Sequence, residues 1–180
     1  MSWSETVNHF WFHELRADDW FSARPEVDAE IRRRFGDLHA ALKRHPPDRG
    51  ELGADSNVAV VIVFDQFSRN LFRQSAEAYA TDGLALALAL HAVENGLDRS
   101  LGPLQRQFLC MPFMHSEDRA MQARSVALFA NLGIPDQLRY AEHHKGIVDR
   151  FGRFPHRNPV LGRTSTEAER AFLESKSSFP

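Results

Sequence analysis

The sequence predicts an all-α fold, and three observations carry that expectation. Apolar residues recur at three- and four-residue spacing along most of the chain. Proline, glycine and Ser/Thr-x-x-Glu signals punctuate those stretches where helices begin and end. The one stretch that reads as a strand, Val58-Ala59-Val60-Val61-Ile62-Val63-Phe64, has no partner run to pair its backbone groups, so it too is expected to be a buried helix.

About eight helices follow in order. The first opens on Ser2-x-x-Glu5 and carries Val7, Phe10, Trp11 and Leu15 on one face. The second opens near Pro25, carries Val27, Ile31, Phe35, Leu38 and Leu42, and must end by Pro46-Pro47. The third runs from Asn57 to about Arg69. The fourth begins near Ser75 or Thr81 and ends at Glu94, with Gly96 just past it. Its Leu-Ala alternation mimics a strand, but Ala and Leu are strong helix formers, and Leu86, Leu90, Val93 and Leu97 make a helical stripe. Pro103 starts a fifth, which Pro112 is expected to stop. Ser116 is expected to cap the sixth, with Glu117 and Asp118 in its positive first turn and Gly133 after its last. The seventh follows Pro135-Asp136 and ends before Gly152. The eighth starts at Thr164-x-x-Glu167 or Thr166-x-x-Glu169 and buries Phe172 and Leu173. Connections are mostly short, so successive helices should form antiparallel hairpins. Periodicity alone does not separate a short superhelix from an irregular bundle.

Composition narrows the function classes. With 180 residues and no composition shift, a single domain spanning 1–180 is expected, frayed only at about 175–180. The net charge of −2 supplies no global positive field, which argues against nucleic acid and anionic lipid as partners. The apolar runs fall well short of the roughly 20 residues that span a bilayer, so a soluble protein is expected. One cysteine, Cys110 in an apolar setting, excludes a disulfide framework and fits a cytoplasmic location; the N-terminus shows no signal-peptide pattern. P-loop, Rossmann and nucleophile-elbow signatures are absent, and no cofactor is expected.

Four stretches carry a family resemblance: Phe10-Trp11-Phe12 with Glu14-Leu15; Asp65 through Arg73; Pro112 through Asp118; and Arg150 through Asn158, continuing through Leu161-Gly162-Arg163-Thr164-Ser165-Thr166 to Phe172-Leu173. In these the chain resembles the bacterial family known as domain of unknown function 924 over nearly its whole length. The resemblance implies an α-α superhelix similar to tetratricopeptide repeats, and it implies no chemistry.

Candidate chemistry lies in the polar stretches. Asp65, Arg69 and Arg73 follow one another at i, i+4, so a continuing helix would stack them on one face. Charges just after a buried run need partners, so an internal Asp65–Arg69 pair with Asn70 ending the helix is one reading. In the other, Arg69 and Arg73 bind an anion and Asp65 is an orienting or general-base carboxylate. The Arg150–Arg163 stretch is largely loop and holds Arg150, Arg153, Arg157, Arg163 and His156 against Asp149 alone; converging guanidinia would make an anion site, while Asp65, Glu117 and Asp118 could instead neutralise them. His115 lies just outside a helix and could reach a pocket. His9 and His13 have chelating spacing but sit among aromatics without a following acid, and His143 and His144 point apart, so no metal site is expected.

Three functions remain. The first is a binding module whose Arg69, Asn70, Arg73, Arg153, His156, Arg157 and Asn158 hold an anionic small molecule or acidic peptide. The second is an enzyme acting at a phosphoryl or carboxyl centre, with Asp65, His115 or His156 as acid–base group. The third is structural, with the polar residues paired to one another.

Overall fold

The structure, a computed structural model, describes residues 1–175, so all but the first residue of the expected frayed tail lies outside the described residues. Among those described, the chain is all-helical, with no strand. No helix is long and apolar enough to cross a membrane.

Backbone contacts gather the chain into two compact units, Met1–Arg73 with Glu77–Pro112, and Gln74–Ala76 with Phe113–Pro180. In the first unit, α1 (Trp3–His9) begins with a complete capping box: Ser2 accepts the Glu5 N–H while the Glu5 carboxylate accepts the Ser2 N–H. Its chain continues without a break into a π-helical turn, Phe10–Glu14. A short α2 (Ala17–Phe21) follows that apolar periodicity is too brief to reveal. The long α3 (Pro25–Arg44) has Pro25 in its first turn, as expected.

The β-branched run is helical. α4 (Ala54–Val61), a π-helical segment (Ile62–Phe67) and α5 (Ser68–Leu71) form one continuous rod, and every residue from Asn57 to Ser68 is buried. Burial on all sides explains the absent apolar–polar periodicity: a helix with no solvent face has no stripe to show. α1 and α6 (Asp82–Glu94) pack against this rod, and α3 packs on its π portion and on α5. Thr81 precedes α6, which settles the start that the sequence leaves open between residues 75 and 81; residues Ala76–Tyr79 form a separate 3-10 turn. Phe10, Phe35 and Phe67 meet with ring centroids 4.9 to 6.1 Å apart, while Trp11 stands edge-on to Phe67 and Phe108.

Two expected boundaries are corrected. Pro112 does not end the fifth helix: α7 runs Pro103–His115, straight through it. Proline removes one backbone donor and crowds the carbonyl four residues back, but buried neighbours on either side (Met111, Phe113 and Met114) hold the last turn in place. Nor does Ser116 cap the sixth helix. Asp118 does, accepting the Met121 N–H at 2.9 Å at the head of α8 (Arg119–Leu132), while the Ser116 hydroxyl, two residues earlier, accepts the Asp118 N–H.

In the second unit α8 packs along α9 (Pro135–Phe151), the two joined through Gly133 at φ +68°. Gly152, at φ +72°, turns the chain out of α9 into an irregular segment with a 3-10 turn at Pro155–Arg157. α10 (Glu167–Glu174) then begins at Thr166, which selects the second of the two expected capping boxes. Phe172 packs with Ile147, Val148, Phe151 and Phe154 to form the small apolar core on this side.

Candidate functional site

The candidates fall into two groups, one in each unit. In the first unit Asp65 is wholly buried on the π segment. It accepts from Gln66 Nε2 at 2.6 Å and lies 3.7 Å from Arg69. Arg69 has a closer carboxylate, Asp82 at 2.8 Å; its guanidinium also donates to the Ala78 carbonyl and lies 4.6 Å from the Tyr79 ring centre. Burial opposes charge on Arg69, but Asp65 and Asp82 outweigh it and raise its pKa. Arg73 does not stack on Arg69 to share a ligand: its guanidinium grips Asp28, to which Asn70 also donates at 2.7 Å. Burial works to raise the Asp28 carboxyl, yet Arg73 and Asn70 hold it below the usual carboxylate range. Asp82 and Asp28 are thus the partners that sequence spacing did not disclose, lying 13 and 45 residues from the groups they bind.

The same unit contains a buried hydroxyl–imidazole chain. His39 Nε2 lies 2.8 Å from Ser68 Oγ, which lies 2.7 Å from Thr81 Oγ1, and both hydroxyls reach the Phe64 carbonyl in the wide π turn. Burial lowers the His39 pKa and favours the neutral ring. His39, Ser68 and Thr81 are all almost wholly enclosed, so this chain braces the helix and meets no ligand.

In the second unit the loop after α9 is tied down by two carboxylates. Glu169 accepts Arg153 Nε at 2.6 Å and Nη2 at 2.8 Å, and it also closes the Thr166 capping box. Arg153, with Thr166 and Asn158, holds the Glu169 carboxyl down at about 2. Glu117 accepts both Arg163 terminal nitrogens, at 2.7 and 2.9 Å, together with the Phe154 N–H at 2.7 Å. Here burial raises the carboxyl and these hydrogen bonds more than reverse it. Asn158 is buried, donates to Ser165 Oγ and accepts from Arg163 Nε. Arg153, Asn158 and Arg163 therefore shape the loop through protein acceptors.

Beside that loop, which itself contributes His156, lies a set of imidazoles from the end of α7 and from α9. Arg157 donates to the His115 carbonyl at 2.9 Å, and its guanidinium lies 4.6 Å over the Phe154 ring. Around Phe154 stand His156, centroids 5.7 Å apart, and His144, 5.5 Å. His144 in turn lies 6.4 Å from His115 and 6.2 Å from His143. The Tyr140 carbonyl, 2.8 Å from His144 Nδ1, can only accept, which fixes the proton on Nδ1. Burial, then the nearby His115, and further the His143 and His156 rings, press the His144 pKa down to about 3. His156 is exposed and His115 partly so, which leaves the cluster open to solvent.

The sequence singles out His115 and His156 as candidates but not the half-buried His144 that joins them. Its only signal was its place on the helix before a histidine-bearing loop. Among the described residues no three His, Cys, Asp or Glu side chains are arranged to hold a metal ion. His9 and His13 pack 5.5 Å apart, His9 also lying 4.0 Å from Glu14.

The family model described as a bacterial protein of unknown function, DUF924, matches residues 7–177. Among solved structures, the protein of unknown function ATU0120 from Agrobacterium tumefaciens is similar, with a TM-score of 0.89 and 41% identity, covering 95% of this chain and 96% of that one. No curated protein matches the chain.

Proposed function

We propose that this chain, which belongs to the bacterial DUF924 family, is a binding protein for a small anionic molecule or an acidic peptide group, seated at the histidine cluster around Phe154. The observation that carries the reading is the gathering of His115, His143 and His156 about the half-buried His144, with the Arg157 guanidinium over the same Phe154 ring. Imidazoles crowded together disfavour one another's protonation, and an anion placed among them reverses that penalty. Strongly shifted ionisable groups beside solvent-open neighbours are the pattern that functional sites share.

The carboxylate pairing of Arg69, Arg73 and Arg153 favours a structural role for those three residues. Their partners Asp82, Asp28 and Glu169 already occupy the guanidinium faces that an anion would need. In this reading they fix the helices and the loop, while His115, His156 and Arg157 meet the ligand.

Thermal melting at pH 6 across phosphate, sulfate, acetate, citrate and nucleotides tests the proposal. An anion at about a hundred times its dissociation constant stabilises the native state by about 2.7 kcal/mol. The expected result is a rise in melting temperature with one anion class, lost in His156→Ala, whose ring is exposed and whose removal spares the core. A rise that persists unchanged in His156→Ala and in His115→Ala places the ligand elsewhere and contradicts the proposal.

A further inference from the structure

Where the chain leaves α9, Arg150, Phe151, Arg153, Thr166, Ala168 and Glu169 line an open hollow of about 510 Å³. That volume falls within the range of small-molecule sites, roughly 300 to 1,000 Å³. The charged groups on its wall do not balance. Glu169 is engaged by Arg153, and the Asp149 carboxylate beside Arg150 is engaged by Lys145. Arg150 is left with neither a hydrogen bond nor an ion pair to any described residue, so one positive charge stays uncompensated at the hollow's edge.

Arg150 is nonetheless held in place. Its guanidinium carbon lies 4.7 Å from the Phe151 ring centre and 5.9 Å from that of Phe172. A guanidinium resting on aromatic faces keeps its in-plane N–H donors available while losing rotamer freedom, so less entropy remains to be lost when it binds. The other arginines of this unit show the contrast. Arg139 has Asp136, Arg153 has Glu169, Arg163 has Glu117, and Arg119 and Arg170 donate to backbone carbonyls.

We infer that this hollow binds an oxyanion, the carboxylate or phosphate group of a small molecule, with Arg150 as its charged ligand. Arg153, its Nε and Nη2 held by Glu169 and the Thr164 carbonyl, supplies the neighbouring wall. The Phe151 ring offers an apolar surface to whatever carries the oxyanion. The inference does not depend on the histidine cluster.

Titration with inorganic phosphate, and separately with acetate and succinate, read by the Nε resonances of the arginines, tests it. A saturable shift of the Arg150 resonance is expected with one of these probes. In Arg150→Met, which keeps the apolar stem, affinity should fall by at least about tenfold with the melting temperature unchanged. Saturation by phosphate alone assigns a phosphate-bearing ligand, and saturation by acetate or succinate alone a carboxylate. In His156→Ala the Arg150 shift should persist, which separates this site from the histidine cluster. No saturable shift with any probe, or equal affinity in Arg150→Met, overturns the inference.

Discussion

Arg69, Arg73, Arg153 and Arg163 show why charge patterns along a chain say less than they promise. Each looks available in the sequence, and each has its carboxylate in the fold. Only the Asp65–Arg69 contact was legible from spacing, and at 3.7 Å it is the weaker of Arg69's two pairs. Asp28, Asp82, Glu117 and Glu169 come from 13 to 46 residues away, which no local pattern encodes. The assignment of bracing roles predicts that Arg153→Ala lowers the melting temperature by several degrees, since it leaves the buried Glu169 carboxylate without its main partner. Arg139→Ala, which removes an exposed pair, should leave it unchanged. Ser68→Ala removes a hydroxyl shared by His39, Thr81 and the Phe64 carbonyl, and should cost about 1–3 kcal/mol in urea unfolding. Cys110 is buried with its thiol pushed up to about 12, so thiol reagents at neutral pH should label it only as the protein unfolds.

At the scale of elements, most helices were readable because their caps and glycines are local chemistry. Thr166 and Glu169 close a capping box that four residues of sequence suffice to suggest, and Thr166→Ala should destabilise the protein by about 1 kcal/mol. The π-helical turns at Phe10–Glu14 and Ile62–Phe67 were not readable, because the wider turn leaves no compositional mark. Pro112 misled for the opposite reason. A strong local signal to stop is overridden by burial, which only the fold reveals. Ser116 and Asp118 compete as caps two residues apart, and the fold uses the first to support the second.

For the whole molecule, the two ionisable groups whose pKa values are pressed furthest down, Glu169 and His144, both predict instability in acid. The folded pKa of Glu169, about 2, lies below its ordinary 4.5, so the folded form binds the proton less tightly than the unfolded chain. Its contribution is complete above pH 4.5 and is lost as pH falls from there towards 2. The pKa of His144 is also depressed, from 6.5 to about 3, because the fold favours the neutral ring. Its contribution is complete above about pH 6.5 and declines as pH falls towards 3. Stability should therefore begin to decrease below pH 6.5 and steepen below 4.5. His144→Gln should flatten the first part of that decline in a pH series of urea midpoints, and Glu169→Gln the second. The sequence disclosed the helical class and the histidines at 115 and 156. It did not disclose that His144 would bring them into one environment, since that depends on α9 packing beside the loop that follows it.

The central claim is that this histidine cluster is where the protein meets an anionic ligand. The most direct test is a titration of the histidine ring Cε1–H resonances, first with pH and then with the anion that shifts the melting temperature. His144 should stay neutral down to about pH 4, in keeping with its desolvation, and added anion should shift the His115 and His156 ring resonances. A His144 that titrates near 6.5, or an anion that moves His9 and His13 as much as His115 and His156, would contradict the claim.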